Sequence, residues 1–122
     1  MGDGSTTGRL TPVAVSGLSS GVIAIDAGAL GMHTCALTSG GAAKCWGVNW
    51  YGRLGDGTTT TRLTPVAVSG LSTGVIAIAA GNFHTCALIG GGVVKCWGYN
   101  YYGLLGDNTT TDRWTPVSVI GL

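Results

Sequence analysis

The sequence predicts an all-β protein built from a tandem repeat. The amino-acid composition supports the all-β part of this prediction. Glycine supplies 23 of the 122 residues, well above the usual share of about 7%. Glu and Gln are absent, while Thr and Val are abundant, so strand formers outweigh strong helix formers. With 45% hydrophobic and 9% charged residues, the chain is also too apolar to be a disordered tail. We therefore expect a folded, sheet-based protein.

The tandem-repeat part of the prediction rests on an internal repeat of about 50 residues. The segment His33–Leu37 returns as His84–Leu88 at an offset of 51, and residues 33–71 match residues 84–122 at 27 of 39 positions. The offset is 53 upstream of a short expansion, Ala29–Met32. Repeats of this length indicate an architecture of stacked, similar units.

Four short strands are predicted within one repeat: Val75–Ala80, His84–Ile89, Val93–Trp97 and Pro116–Val119. The first strand is continuously apolar, which favours a strand covered on both faces. Gly90–Gly92 forms a tight turn between the second and third strands. A proline at the start of the fourth strand favours the edge of a sheet. A four-stranded unit of about 50 residues in tandem is typical of a β-propeller blade.

Counting strands predicts two blades and one strand left over. Blade 1 is expected over about 22–68 and blade 2 over about 75–119, within a single module covering residues 1–122. The edge-strand pattern Thr-Pro-Val-x-Val also occurs at 11–15, which predicts a spare N-terminal edge strand. A propeller blade buries both faces against neighbours, so an incomplete propeller is expected to self-associate.

Self-association has two predicted outcomes. Three copies would supply six blades and four copies eight, both within the roughly 4–8 blades that propellers use. A head-to-tail contact that does not close would instead produce a fibre, a route that unpaired strand edges favour.

Charge and hydropathy exclude two classes of partner. The net charge is +1 and no basic run is present, whereas nucleic-acid binding requires a basic stripe that neutralises phosphates. The longest apolar stretches are far shorter than a membrane-spanning segment. Neither nucleic acid nor membrane is therefore expected as a partner.

The four cysteines form two pairs, each symmetric about a predicted hairpin turn. Cys35 and Cys45 are equidistant from Gly40, and Cys86 and Cys96 from Gly91. In an antiparallel hairpin such residues lie directly opposite each other, within reach of a disulfide. We predict two disulfides within blades and an oxidising compartment, either extracellular or at the cell surface. The alternatives are buried thiols or a zinc site, which would need ligands from two blades.

Two histidines invite a catalytic interpretation, which the repeat disfavours. His33 and His84 occupy the same position in each repeat, as a packing residue would, whereas a catalytic group is needed once. No paired carboxylates or catalytic triad accompany them. We expect structural histidines and neither an enzyme nor a cofactor.

Polar residues in the long loops are predicted to stabilise the loops. Asp56 and Asp107 resemble fragments of a calcium loop but lack its alternating ligands and terminal Glu, so we expect them to cap turns. An arginine recurs just before each edge strand, where it is expected to bind a loop carbonyl or the Asp. Asp26 interrupts the apolar first strand of blade 1 and is expected to face solvent in a central channel. The recurring arginines are Arg9, Arg62 and Arg113.

The loops after each Trp-Gly supply the candidates for partner binding. They contain aromatic and arginine residues, the types that dominate binding hot spots. The tyrosines common to both copies have an alternative role in packing within the loop, so the positions that differ are favoured for recognition. Leu54 and Leu105 are expected in the core. The partner-binding candidates are Trp50, Tyr51, Arg53, Tyr101, Tyr102 and Leu104.

One motif carries a family resemblance. The pattern Gly-x-x-His-Thr-Cys-Ala-Leu, followed by Gly-Gly-x-x-Lys-Cys-Trp-Gly-x-Asn-x-Tyr-Gly-x-Leu-Gly-Asp, resembles the repeats of the regulator of chromosome condensation family, most closely their cysteine-bearing bacterial form. Members usually form seven-bladed propellers. Their relatives include a nucleotide-exchange factor for a small nuclear GTPase and a secreted bacterial inhibitor of β-lactamases.

The resemblance implies protein binding. We therefore expect a non-enzymatic extracellular module that acts by self-assembly and protein recognition. The alternative is a structural subunit of an extracellular fibre or surface filament.

Overall fold

A computed structural model describes all residues from 1 to 122. It contains two four-stranded antiparallel sheets, with strand orders β1-β2-β3-β4 and β5-β6-β7-β8, which confirms the predicted two-blade all-β fold. The only helical segment is a single 3₁₀ turn, Trp50–Gly52, and no helix is long and apolar enough to cross a membrane. The strands are β1 Val22–Ala27, β2 His33–Thr38, β3 Ala43–Gly47, β4 Arg62–Ala67, β5 Val75–Ala80, β6 His84–Ile89, β7 Val93–Gly98 and β8 Arg113–Ser118.

The central hairpin of each blade has the register that the cysteine symmetry predicts. Cys35 lies opposite Cys45 in the β2–β3 pair, and Cys86 lies opposite Cys96 in the β6–β7 pair. In the first hairpin the turn contains Gly41 at φ +80°, where an added β-carbon would lie 2.7 Å from the backbone nitrogen of Gly74. The turn of blade 1 therefore lies directly against the chain that leads into blade 2.

The outer strand of each blade begins earlier than predicted. β8 starts at Arg113 and ends at Ser118, whereas the sequence predicted Pro116–Val119. The pairing explains the difference, because Arg113 lies opposite Gly98 before an irregularity in the register. Pro116 lies within this outermost strand, which confirms the edge position that a proline without an N–H favours.

The predicted spare strand at 11–15 is wrong, because this segment forms no strand. A strand needs a sheet edge with which to pair, and each Thr-Pro-Val strand that does form pairs with β3 or β7 of its own blade. Residues 1–18 are instead attached near their two ends. Gly4 N donates to Leu63 O at 3.0 Å, and Ser16 N donates to Gly2 O at 2.8 Å.

The core lies at the junction of the two blades. Its buried side chains come from β2 and β3 of blade 1, from the segment 54–71 and from blade 2. The prediction that the apolar inner strands are covered on both faces is wrong for this chain. Ile23, Ile25 and Ile76 are exposed, and Ile23 and Ile76 lie at the register irregularities of β1 and β5.

Candidate interaction surfaces

A chain of hydrogen bonds joins the two blades inside the core. His33 Nε2 lies 2.9 Å from the hydroxyl oxygen of Thr85, and that hydroxyl donates to the carbonyl oxygen of Arg53 at 2.9 Å. Because the single Thr85 hydrogen is directed at Arg53, the Thr85 oxygen accepts from His33. Nε2 of His33 therefore carries a hydrogen and donates it to Thr85.

Protonation of His33 is strongly disfavoured. Burial, and then the positive charge of Arg53, lowers its pKa to about 4. The second ring nitrogen, Nδ1, is buried without a hydrogen-bond partner, so a proton placed there would create a buried N–H with no acceptor. The structural role expected for this histidine thus has a specific form: a neutral link between blades.

This geometry predicts a loss of stability in mild acid. The pKa of a histidine in the unfolded chain is near 6.5. Between this pH and about 4, the unfolded chain therefore binds a proton at position 33 that the folded chain does not bind. Stability should be full above about pH 6.5 and fall by about 2–3 kcal/mol as the pH drops towards 4. The folded pKa of Asp107 is about 2 and an unfolded Asp titrates near 3.9, so this carboxylate adds to the loss only below about pH 5; the chain has no Glu, and the histidine effect is therefore read between pH 6.5 and 5.

Urea unfolding at several pH values between 7 and 4.5 measures this effect. His33→Gln retains an N–H donor for Thr85 but does not titrate, so its stability should vary much less with pH. An equal slope in the variant and the wild type would contradict the role assigned to His33. His84, whose pKa burial also lowers, accounts for the residual slope.

Arg53 was predicted as an exposed recognition residue, and the structure corrects this. It is 0% exposed. Its Nη1 donates to Asn82 O at 2.8 Å, its Nε donates to Trp50 O at 3.1 Å, and its guanidinium lies 5.0 Å from the Phe83 ring centre. Burial lowers the pKa of Arg53. The residue fastens the blade 1 loop to the β5–β6 turn of blade 2.

A signal for this role was present in the sequence. The two copies differ together at both sides of the junction: Arg53 becomes Leu104, and the turn Ala29–Met32 becomes Asn82-Phe83. Leu104 is half exposed, because no further turn packs over it. Two positions that face each other across the junction and that both differ between the repeats therefore indicate a contact. A difference at one position alone does not.

Asp26 also contributes to the junction, contrary to its expected place in a solvent channel. Its Oδ2 accepts a hydrogen bond from Ala80 N at 2.7 Å. This bond links the inner strands of the two blades. In blade 2 the corresponding residue is Ala79, which has no acceptor to offer.

The loop aspartates cap turns as predicted. Asp107 accepts from Thr109 N at 3.0 Å and from the Thr109 hydroxyl at 2.7 Å, and it pairs with Arg113 at 2.7 Å. Burial acts to raise the pKa of Asp107, but the hydrogen bonds from Thr109, Arg113 and Asn100 lower it to about 2. Asp56 with Arg62 and Asp3 with Arg9 form the same pairs.

Two buried asparagines that organise these loops were missed. Asn49 accepts from Leu54 N at 2.9 Å and donates to Asp56 at 3.1 Å, and Asn100 makes the same bonds to Leu105 and Asp107. Both asparagines are 0% exposed. Their recurrence two residues after each Trp-Gly was the available signal.

Three of the remaining loop candidates, Tyr51, Tyr101 and Tyr102, belong to an exposed aromatic cluster, here called the aromatic rim. The rim extends from Tyr51 across the junction to blade 2. Tyr51 packs on Tyr99, with ring centres 4.7 Å apart, and Tyr101 packs on Tyr102 at 5.0 Å. Tyr102 is 74% exposed. The members are Tyr51, Phe83, Tyr99, Tyr101 and Tyr102.

The rim borders a cleft of about 470 Å³. Leu104 and His84 line the blade 2 side of this cleft, together with Asn82 and four aromatic residues of the rim. Phe83 and Tyr99 were not among the sequence candidates. The exposed residues Trp50, Tyr101 and Leu104 remain candidates for partner contact.

Both cysteine pairs are closed as disulfides, with Cα–Cα distances of 4.1 Å. No free cysteine is present, and no group of three or more His, Cys, Asp or Glu side chains comes together. Cys35 and Cys45 are fully buried, so the first disulfide is part of the junction core.

A direct test of the disulfides is intact-mass analysis after alkylation without reductant. The folded protein should show no modified cysteine, and four should appear after reduction and unfolding. Each bond closes a short loop and should stabilise the fold by about 2–3 kcal/mol. Alkylation of all four thiols in folded protein would overturn both the pairing and the oxidising compartment.

Comparison with known proteins identifies the repeat. The regulator of chromosome condensation (RCC1) repeat matches residues 44–88 and, in a second form, residues 75–104. The ultraviolet-B receptor UVR8 of Arabidopsis thaliana is 34% identical over 121 residues, which are 98% of this chain and 27% of the receptor. The human E3 ubiquitin-protein ligase HERC2 is 34% identical over 119 residues, 93% of this chain and 2% of the ligase.

Solved structures show the same relationship. Prp20p from Saccharomyces cerevisiae superposes with a TM-score of 0.66 and 30% identity over 83% of this chain and 26% of that protein. Human WBSCR16 gives a TM-score of 0.68 and 28% identity over 80% of this chain and 26% of that protein. The chain thus spans little more than a quarter, at most, of these relatives. Repeats of this type generally mediate protein–protein interaction, and the chain, with its two tandem blades, belongs to the regulator of chromosome condensation (RCC1) repeat family.

Proposed function

We propose that this chain is a non-enzymatic extracellular interaction module that acts by self-assembly and by recognition of another protein. The observation that carries the proposal is an uncovered apolar surface of blade 2, here called the open face. The corresponding side chains of blade 1, among them Cys35 and Leu37, are almost completely buried against blade 2. The groove on the open face is lined by Ala77, Ile78, Ala79, Cys86, Ala87, Leu88 and Val94.

Self-assembly follows from the chemistry of the open face. All seven residues lining its groove are hydrophobic, and contiguous apolar surface of this kind marks an interaction site. A propeller blade normally covers such a surface with the next blade. A second copy of this chain offers a blade of the right kind, and three or four copies would close a ring.

Recognition of another protein is proposed for the aromatic rim. Exposed tyrosine and tryptophan side chains are the residues that most often supply binding energy at interfaces. The similar solved structures are described as binding proteins: yeast RCC1 (Prp20) is bound to Kap60, and Prp20p is described with binding properties towards Gsp1p and histones. These descriptions support protein binding as the use of such repeats.

The extracellular setting is proposed from the disulfides. Two disulfides within one 122-residue chain are typical of proteins in oxidising compartments. Both bonds lie in the central hairpins of their blades, so their reduction should destabilise both blades.

Light scattering coupled to size-exclusion chromatography tests self-assembly. The mass should be a multiple of 12.2 kDa, and Leu88→Asp, which places a charge on the open face, should shift it towards the monomer. Thr60→Asp, at an exposed loop position, is the matched control and should assemble normally. A folded wild-type monomer at every micromolar concentration would contradict self-assembly.

The rim is tested separately with immobilised chain and a mixture of extracellular proteins. A protein retained by the wild type should be lost with Tyr101→Ala/Tyr102→Ala and kept with Leu10→Ala, whose side chain is fully exposed away from the rim. Equal retention by the double variant would show that the rim does not bind it.

The second candidate function is a structural subunit of an extracellular fibre. The outer strands β4 and β8 are sheet edges without a further strand, and such edges favour extended assembly. A head-to-tail contact that fails to close gives a filament. Electron microscopy separates the two functions, because rings have one size and filaments have many.

A further inference from the structure

We propose that residues 1–18 act as an intramolecular latch on blade 1, and that a second copy of the chain displaces this latch when it docks head to tail. The displacing segment is residues 105–122. This inference rests on the self-assembly proposed above and specifies which surfaces meet and what restrains them. The evidence is that the same docking arrangement occurs three times in the chain, once without its tryptophan.

The junction between the blades provides the first and complete example. The segment 54–71 crosses from blade 1 and covers Trp97 of blade 2. A β-carbon added to Gly55 would lie 2.6 Å from Trp97 Nε1 and 2.9 Å from Val68, so backbone and indole are in direct contact. Ser69 N donates to Gly55 O at 2.9 Å and closes the loop that holds the indole.

The latch repeats this arrangement on Trp46 of blade 1. A β-carbon added to Gly2 would lie 2.8 Å from Trp46 Nε1 and 2.8 Å from Val15. Ser16 N closes the loop by donating to Gly2 O at 2.8 Å. The latch differs in sequence from residues 54–71 only at Met1, Ser5 and Gly8.

The segment 105–122 has the same form but no tryptophan to cover. Ile120 N donates to Gly106 O at 2.8 Å, so the loop is closed in the same way. A β-carbon added to Gly106 would meet only Val119. Ile120 and Leu122 are exposed. The loop is therefore preformed for an indole, and Trp46 of a second copy supplies it.

The latch is the weaker of the two competitors for Trp46. Residues 113–118 form β8 and are held in the sheet of blade 2, so the segment 105–122 loses little conformational freedom on docking. Residues 11–15 of the latch form no strand, and Leu10 is 105% exposed. The latch therefore exchanges more readily than a segment anchored in a sheet.

The open face matches blade 1 of a second copy. Within the chain, His33 bonds to Thr85. Between copies, the corresponding residues are His84 and Thr34. At the junction between copies, the half-exposed Leu104 takes the place that Arg53 has within the chain. It would contact the longer, apolar turn Ala29–Met32 of the second copy, in which Leu30 is exposed. Apolar side chains thus lie on both sides of the new junction where the internal junction has Arg53.

One polar contact of the internal junction is missing from the junction between copies. Asp26 accepts from Ala80 N within the chain, but its counterpart Ala79 cannot accept from Ala27 N of a second copy. Docking between copies should therefore be weaker than the internal junction and reversible. Ala79 is exposed, so it can be changed without disturbing the blade.

Sedimentation equilibrium of the full chain tests the latch. Gly2→Ala introduces a β-carbon against Trp46 at φ +81° and should raise the association constant roughly tenfold. Ser16→Pro, which removes the N–H that bonds Gly2 O, should act in the same direction. Gly8→Ala is the matched control, because nothing lies within 4 Å of its added β-carbon.

The same experiment tests the facing surface. Ala79→Asp restores an acceptor for Ala27 N and should also strengthen association, whereas Ala79→Arg should abolish it. Circular dichroism establishes that each variant is folded. The latch is refuted if folded Gly2→Ala and Ser16→Pro associate no more strongly than the wild type, and the docking face is refuted if Ala79→Arg associates normally.

The outcomes also separate this inference from the self-assembly on which it rests. Equal assembly of the wild type and both latch variants would leave self-assembly standing and remove the latch. A monomeric wild type with oligomeric latch variants would support the latch and overturn self-assembly of the unaltered chain. Monomers for the wild type and every folded variant would overturn both.

Discussion

Replacing Leu54 by Ala is expected to lower the free energy of unfolding by about 2–5 kcal/mol. Leu54 is 0% exposed and belongs to the core cluster at the blade junction. The truncation removes three carbons from a site closed by a disulfide, a tryptophan and two strands, which can collapse only partly. Urea unfolding followed by circular dichroism measures the loss.

Leu104→Ala is the matched control for this substitution. It is the same change at the neighbouring position of the second repeat, but Leu104 is 50% exposed, so the expected cost is below about 1 kcal/mol. Leu105 is fully buried but lies outside the junction cluster, and Leu105→Ala should fall between the two. An unchanged unfolding midpoint for Leu54→Ala would show that the loop does not enter the core.

The sequence predicted those features whose contacts lie inside one repeat. Cys35 and Cys45 are ten residues apart and joined by one hairpin, so their symmetry about Gly40 determines which residues face each other. The turn that Asp107 caps by accepting from Thr109 is equally local. Such contacts recur with the repeat, and a pattern that occurs twice is evidence for them.

Contacts between repeats were predicted poorly, because equivalent positions have different neighbours. Arg53 and Leu104 occupy the same place in the repeat, yet only Arg53 has a turn packed over it. Asp26 was assigned to solvent for the same reason, since its acceptor role requires the Ala80 N–H of the next blade. A repeat pattern describes a blade but not which of its faces is covered.

The strand predicted at 11–15 failed in the same way. Residues 11–15 are identical to residues 64–68, which include most of β4, and local propensity favours a strand. A strand also requires a partner, and only the copies that follow a central hairpin find one, in β3 and β7. The structure uses these residues to carry a loop across Trp46 instead.

Trp97→Ala is expected to cost about 3–5 kcal/mol, whereas Trp46→Ala should cost clearly less. The two tryptophans occupy the same position in each repeat and are almost completely buried, Trp97 at 0% and Trp46 at 4%. They differ in what covers them. Trp97 lies under residues 54–71, which contain β4, and it belongs to the junction core. Trp46 lies under the latch, which contains no strand.

Unfolding in urea, followed by far-ultraviolet circular dichroism, compares the two variants without relying on the removed fluorophore. Each substitution is the control for the other, because the residue, its hairpin and the disulfide beside it are the same. If both substitutions cost the same, the latch is held as firmly as the internal junction, and a second copy cannot easily displace it.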